Sequence, residues 1–207
     1  MQNDFLEIYD QVYAPLLAQR ADGFRTIFEM LEKRRLSRGP DYKPWIIETG
    51  SLRLLNNWAG DGQSTRLFDI YAAHTGGNVI TIDIDPEAQQ VVVANCSKQV
   101  MSIASDSVAA LHKLASEANG RTVDLLYLDS FDIDFNNVFP SAFHHVKELV
   151  SAMPLLDDGT IVGVDDNFVL ADGSRVGKGM LVRAWFNDIG QAPIHDGYQY
   201  IWEYRRS

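Results

Sequence analysis

Cysteine is nearly missing from this chain. Cys96 stands alone among 207 residues, so no intrachain disulfide framework is possible and a reducing compartment is expected. Basic residues are scarce too: 18 Lys and Arg face 28 Asp and Glu, giving a net charge of -10. That balance argues against a nucleic-acid partner, because neutralising a phosphate backbone needs a basic surface. No uninterrupted apolar run approaches the ~20 residues of a membrane-spanning helix. Asp4, Glu7 and Asp10 stand where a secretory signal needs a basic start and an apolar stretch. The familiar nucleotide loops are lacking as well. Gly50, Gly60 and Gly62 are too far apart for G-x-G-x-x-G, and no Gly-Lys-Ser/Thr closes a P-loop. These absences leave a cytoplasmic protein with no nucleic-acid and no membrane partner. A small or neutral substrate, or a metal held by carboxylates, fits better.

What is present is an ordinary globular composition, 46% hydrophobic and 22% charged, in a chain of one-domain length. Phe5, Ile8, Tyr9 and Val12, then Phe24, Ile27, Phe28 and Leu31, recur at helical spacing before Gly39-Pro40. These N-terminal helices either cover one face of a sheet or form a lid over a site. From Trp45 onward short apolar strands alternate with helical patterns. Strands are expected at Trp45–Ile47, Val79–Ile84, Val100–Ile103, Val123–Leu128 and Thr160–Val164. Helices are expected at Ser64–His74, Pro86–Lys98, Ser107–Asn119, Ser141–Met153 and Lys178–Gly190. Such alternation indicates βαβ units and a parallel sheet. The end of the chain breaks the pattern, with His195-Asp196-Gly197 reading as the turn of an antiparallel hairpin that continues through Tyr198 to Tyr204. The fold class is therefore α/β: a Rossmann-like, mostly parallel, doubly wound sheet with N-terminal helices and a C-terminal antiparallel hairpin. Residues 1–207 form one domain, with 1–40 a helical cap and 45–207 the Rossmann-like core.

In open parallel sheets, ligands bind beyond the carboxyl ends of the strands. Those ends carry Glu48 and Gly50, then Asp83 and Asp85, then Ser105 and Asp106, then Asp129, Asp132 and Asp134, and finally Asp165, Asp166 and Asn167. Asp83 follows Gly62 by about twenty residues, the separation at which an acid accepts ribose hydroxyl hydrogens. Asp85, placed before Pro86, suits a helix cap. Asp129 with Asp165 and Asp166 would repel one another unless a cation sat between them, and oxygen-only donors suit a hard divalent ion such as Mg²⁺. The alternative is a solvated acidic rim that caps helices.

These residues resemble class I S-adenosylmethionine-dependent methyltransferases, and most closely the metal-dependent catechol O-methyltransferase group with its sugar-methylating relatives. The similarity runs from about Ile46 to the C-terminus. Glu48-Thr49-Gly50 and Gly62-Gln63-Ser64 look like the two pieces that hold the methionine end of the cofactor, here split by an insertion. I-T-I-D-I-D-P resembles the ribose-binding strand end, and Ala104-Ser105-Asp106 the adenine-edge segment. Phe131 falls where an aromatic ring covers the adenine. Cofactor contacts implied are thus Glu48, Gly50, Gly62, Ser64, Asp83, Ser105, Asp106, Asp129 and Phe131. L-Y-L-D-S-F-D resembles the metal-binding strand, and G-T-I-V-G-V-D-D-N the strand supplying the other ligands. The resemblance implies Asp129, Asp165, Asp166 and Asn167 as a ligand set. The register leaves open Asp165 with Asp166 or Asp166 with Asn167.

The chain departs from the family at one chemical point. Catechol-type enzymes place a lysine base just after the fourth-strand acid, where this chain has Ser130-Phe131-Asp132. A hydroxyl acidified by a metal can instead lose its proton to a carboxylate or histidine. Asp132, Asp134, His144 and His195 are candidates, and Asp129, Asp132 and His144 form the expected catalytic set. The expected activity is metal-assisted O-methylation of a small-molecule hydroxyl of sugar or phenol type, with S-adenosylmethionine and Mg²⁺ as cofactors. A homodimer is left open. Leu52 to Asp61 would lie near the cofactor's reactive end, with Arg53, Asn56, Asn57 and Trp58 as acceptor contacts. Three rival readings remain. They are a non-catalytic binding module on the same fold, a glycosyltransferase using Asp132-Ile133-Asp134 as a D-x-D metal site, and a dehalogenase-class phosphatase imitated by I-D-I-D and V-D-D.

Overall fold

The computed structural model describes residues 4–206; residues 1–3 of the expected cap, and 207, lie outside the described residues. The chain begins with a short helix α1 (Phe5–Ile8), whose first amides are met by the Asp4 carboxylate at 3.2 Å from Leu6 N. Tight helical turns through Arg20 lead into α2 (Ala21–Arg38). The order is then β1 (Trp45–Thr49), α3 (Trp58–Asp61), α4 (Ser64–Thr75), β2 (Asn78–Asp83), α5 (Pro86–Asn95) and β3 (Val100–Ala104). It continues α6 (Ser107–Glu117), β4 (Leu125–Leu128), α7 (Phe139–Ala152), β5 (Ile161–Val164), β6 (Asn167–Val169) and β7 (Arg175–Gly177). Last come α8 (Met180–Asp188), β8 (His195–Asp196) and β9 (Tyr200–Glu203).

A sheet of seven strands runs in the order β3-β2-β1-β4-β5-β9-β8. Its first five strands pair in parallel, while β9 runs antiparallel to both β5 and β8. The chain winds outward from β1 through β2 to β3 and returns to place β4 on the other side of β1. This reversal opens a crevice at the carboxyl ends of β1 and β4, the usual position for a ligand in such sheets. The Rossmann-like sheet, the N-terminal helices and the closing antiparallel strands all follow the expected fold class.

Both faces of the sheet are covered, so the strands are apolar on both sides. Ile47, Ile80, Leu126, Val162 and Trp202 pack under α6, α7 and α8. Their neighbours Ile46, Val79, Leu125, Ile161 and Ile201 pack under α1, α2 and α4. The N-terminal helices therefore cover a sheet face, the first of the two expected roles, with Phe24, Ile27 and Phe28 fully buried there. Tyr200 and Trp202 are core residues; the ring of Trp202 stacks on Phe186 at 4.5 Å.

Several boundaries move for local reasons. α5 stops at Asn95 because Ser97 turns to Asp69, with Ser97 N 3.1 Å from both carboxylate oxygens. α7 starts two residues earlier than expected, with Pro140 in its first turn where a missing amide costs nothing. α8 starts at Met180, because Lys178 is held by other contacts. The β6–β7 hairpin lies outside the expected elements, and His195-Asp196, expected within a turn, instead form β8, which pairs with β9. Among the described residues no helix is long and apolar enough to cross a membrane.

Candidate active site

The first glycine turn is forced by packing. Gly50 adopts φ +82, and a Cβ there would lie 2.8 Å from the carbonyl carbon of Asp129. A side chain is therefore excluded twice, by the left-handed backbone and by the neighbouring strand end. Gly50 N is tied to Ile82 O at 2.8 Å, so the turn is stitched between β2 and β4. The second turn, Gly62 with φ +73 and Gln63 with φ +51, swings the chain into α4. The insertion between them is folded back by its own contacts. Gln63 Nε2 donates to Leu54 O at 2.6 Å, and Leu52 N donates to Thr65 Oγ1 at 3.0 Å.

A cavity at this point is lined by Gly50, Ser51, Arg53, Gln63, Ser64, Asp83, Asp129 and Ser130, among others. A second cavity shares Asp83 and Ser130 with it and adds Ile82, Ile84, Asp106, Ser107, Phe131 and His144. The two make one cleft along the carboxyl ends of β1, β2 and β4, polar at one end and partly apolar at the other. Asp83 stands where they meet. Its carboxylate accepts from Ser51 N and from Asp85 N, both at 2.9 Å, which fixes its orientation and leaves further lone pairs free. Asp85 caps α5 through Glu87 N at 2.8 Å, as its place before Pro86 suggested. Phe131 is half-exposed over the apolar end, its ring 5.5 Å from His144.

Glu48 supports the loop from behind rather than lining the cleft. It is fully buried, and its Oε2 accepts from Thr65 Oγ1 at 2.6 Å and Thr81 Oγ1 at 2.8 Å. Its Oε1 has no hydrogen-bond partner. Burial pushes this carboxyl up to about 7. Between roughly pH 4.5 and 7 the folded protein then holds a proton that the unfolded chain has released, so stability falls as pH rises through that window. Buried His145, held down to about 4 by burial, gives the opposite slope in an overlapping range. Only the difference between wild type and Glu48→Gln isolates Glu48. From pH 5 to pH 8 the variant is expected to gain on wild type by on the order of 3 kcal/mol in urea unfolding. A pH-independent difference would show that Glu48 is ionised throughout.

Asp129, Asp165 and Asp166 converge as expected, with one carboxylate oxygen from each lying within 4.8 Å of the others. Asp166 has φ +53, a strained backbone for a residue with a side chain and of the kind that concentrates at functional sites. The cluster brings its own cations, however. Lys178 is 1% exposed, and its Nζ lies 2.5 Å from Asp129 Oδ1 and 3.0 Å from Asp166 Oδ2. Arg20 is 5% exposed; its Nε meets Asp165 Oδ2 at 2.8 Å and its Nη2 meets Asp166 Oδ1 at 3.1 Å. Tyr198 OH also donates to Asp166 Oδ1. The oxygen left buried without a partner is Asp165 Oδ1. A hard divalent ion collects about six oxygens, whereas these side chains have already given most of theirs to an ammonium and a guanidinium. As arranged, they do not fit a resident Mg²⁺.

Other sequence expectations need correction. Asn167 is not available as a metal ligand. Its Nδ2 donates to Val164 O at 2.9 Å and Asp165 O at 3.1 Å, while its Oδ1 accepts from Gly179 N at 2.8 Å. Asp132 is exposed and paired with Arg53 at 3.0 Å. Asp134 closes its own turn through Asn136 N at 2.9 Å. The two acids of the D-x-D in the glycosyltransferase reading thus have different partners, and Asp132 Oδ1 also lies 3.9 Å from Lys178 Nζ. His144 lines the apolar end of the cleft, with Nε2 2.9 Å from Ser107 Oγ and 3.4 Å from Glu148 Oε1. Ser105 borders a different surface hollow beside β3, and Ser107 takes its place in the cleft. Trp58 packs on Tyr13 at 5.7 Å. Sequence reading missed Arg20, Ser107, Ser130 and Glu148; it places Lys178 in a basic loop that could close over an acceptor and Tyr198 among rings that could line a pocket, and joins neither to the acids. For Lys178 a signal existed in Val176-Gly177-Lys178-Gly179, two glycines flanking one lysine.

No protein-family model matches the chain, and no curated protein matches its sequence. Solved structures do resemble it. One is the MycE methyltransferase of mycinamycin biosynthesis in complex with Mg and SAH, at a TM-score of 0.59 and 14% identity, over 90% of this chain and 50% of that one. Another is CalS11, a TDP-rhamnose 3'-O-methyltransferase of calicheamicin biosynthesis, at 0.57 and 12% identity, over 92% of this chain and 78% of that one. The chain spans about half the length of the MycE structures it matches. At these identities the likeness speaks to architecture, and the architecture of this chain is the fold of S-adenosylmethionine-dependent methyltransferases.

Proposed function

We propose that the protein is an S-adenosylmethionine-dependent methyltransferase acting on a hydroxyl group of a small molecule, of sugar or phenol type. The observation that carries this reading is the placement of Asp83. Its carboxylate stands at the midpoint of one continuous cleft, between the Gly50 turn and the half-exposed ring of Phe131. The residues present fit the cofactor. Gly50 brings bare backbone to the cleft wall, where a side chain would collide with Asp129, and Gln63 and Ser64 at the start of α4 line the same space. Ile82, Ile84 and Phe131 give an apolar wall for a flat base, and Asp83 offers lone pairs to a ribose.

When bound, S-adenosylmethionine supplies an electrophilic methyl group on a sulfonium. The chain's part is positioning, which can be worth up to ~7–11 kcal/mol in favourable cases, and removal of one proton. Asp129 is the carboxylate of the acidic cluster that lines the cleft, so it is assigned as acceptor of the hydroxyl proton. Asp165, 1% exposed, is instead closed off behind Arg20.

Calorimetry with S-adenosylmethionine tests the reading. Wild type is expected to bind, and Asp83→Ala to bind about 10–100-fold more weakly, the value of one charged hydrogen bond. Ser105→Ala, which lies outside the cleft, is expected to leave affinity unchanged. Failure of wild type to bind the cofactor at millimolar concentration would remove the proposal.

A further inference from the structure

Resting on the methyltransferase reading, we infer that Lys178 is the resident cation of the acidic cluster and that it takes the position of a divalent metal. The protein would then hold its three carboxylates together without Mg²⁺.

The delivery of this lysine is built into the backbone. β7 pairs with β6, and Gly177 adopts φ +135 where a Cβ would lie 2.8 Å from Asn167 Cα. At Gly179 a Cβ would lie 2.7 Å from Asn167 Oδ1 and 2.8 Å from Tyr200 Cδ2. Side chains at either position would push this segment away from the acids. Between them, Lys178 N donates to Asp166 O at 3.2 Å and Gly179 N to Asn167 Oδ1 at 2.8 Å. Asn167, a candidate ligand by sequence, thus anchors the lysine instead. The lysine's root is fixed on both sides, so its head has one direction to point.

The head is fully used. An ammonium has three donors, and Lys178 Nζ has Asp129 Oδ1 at 2.5 Å, Asp166 Oδ2 at 3.0 Å and the Asp129 carbonyl at 3.3 Å. Lys178 Nζ thus already bridges Asp129 and Asp166 through one carboxylate oxygen of each, the position a shared cation would take. Arg20 neutralises the third acid, so three negative charges meet two fixed positive ones. Adding a dication to the intact cluster would place it against the ammonium. Metal entry therefore requires Lys178 to leave, which its flanking glycines and anchored amides oppose. Lys178 acts through Asp129, which it orients at the cleft wall, and is a positioning residue.

Mn²⁺ serves as the probe, followed by electron paramagnetic resonance on the full chain at neutral pH. Wild type is expected to take up no stoichiometric Mn²⁺ below millimolar concentration. Lys178→Met, which keeps the length and loses the charge, is expected to gain one site at least 100-fold tighter. Mn²⁺ should also raise the melting temperature of that variant and leave wild type unmoved. Should Lys178→Met not fold even with Mn²⁺, Lys178→Gln carries the same comparison. Micromolar uptake by wild type, lost in Asp166→Asn, would overturn the inference, as would a folded lysine variant that gains no site. Calorimetry with S-adenosylmethionine on the same wild-type sample separates the two claims. Cofactor binding together with tight Mn²⁺ uptake sinks only the lysine assignment, whereas no cofactor binding sinks the methyltransferase reading.

Discussion

Arg20→Met is expected to cost about 3–5 kcal/mol of stability, the cost of leaving a buried charge without its partner. Asp165 is 1% exposed and already has one oxygen without a partner. Removing the guanidinium would strip the other oxygen of its contact at 2.8 Å. Methionine is the informative substitute because it retains most of the apolar stem, so the loss reports charge more than packing. The guanidinium also holds two other pieces of chain. Its Nη1 donates to Gly60 O at 2.8 Å in the insertion, its Nη2 reaches Tyr198 OH at 3.3 Å, and its plane lies 4.7 Å over the Tyr198 ring. A melting temperature lower by roughly 6–20 °C is expected for a domain of this size. Arg25 provides the contrast. It bonds Asp10 and Glu29 on the surface at 41% exposure, and Arg25→Met is expected to cost under about 1 kcal/mol. Equal small losses for the two variants in urea unfolding would mean that Arg20 is not the counter-charge of Asp165.

The pair Arg20 and Asp165 also marks where sequence stops being legible. β2 could be read from Val79-Ile80-Thr81-Ile82, because a strand buried on both faces needs a short apolar run and helices on either side. Asp85 could be read as a cap because Pro86 leaves few alternatives. Asp129, Asp165 and Asp166 could be read as neighbours because each ends a strand of one parallel sheet. The cations could not. Arg20 lies 145 residues from Asp165 in sequence, and Lys178 lies 49 from Asp129. Neither periodicity nor spacing says that a lysine after a three-residue strand turns inward. Composition points the wrong way, since buried lysine is rare unless paired. The glycines around Lys178 made close backbone approach readable, but not its target. Tyr198 failed for a different reason. It shares alternate spacing with Tyr200 and Trp202, yet it precedes the strand, so its hydroxyl reaches Asp166 while the Tyr200 and Trp202 side chains are buried in the core.

The same charge balance gives the second large effect, in which activity and stability part company. Asp129→Asn is expected to lower methyl transfer by about 10²–10⁴-fold, the usual worth of a positioned proton acceptor. It is also expected to leave the protein at least as stable as wild type at pH 8. Wild type sets three carboxylates against Lys178 and Arg20, and the variant sets two against the same two cations. Burial pushes the Asp129 carboxyl well above its ordinary range; Lys178 pulls the other way, and Asp165 and Asp166 add to the rise. A carboxyl whose folded value lies above its unfolded value loses stability as pH rises, and an amide has no such loss. Asparagine keeps an oxygen for Lys178 Nζ, so the cluster's geometry has no reason to collapse. Turnover is read as S-adenosylhomocysteine released with whichever sugar or phenol a compound panel identifies, and stability as the urea midpoint. A variant that keeps turnover within about threefold would show that another group takes the proton. A variant that loses both together would make Asp129 a structural acid, one that Lys178 needs more than the acceptor does.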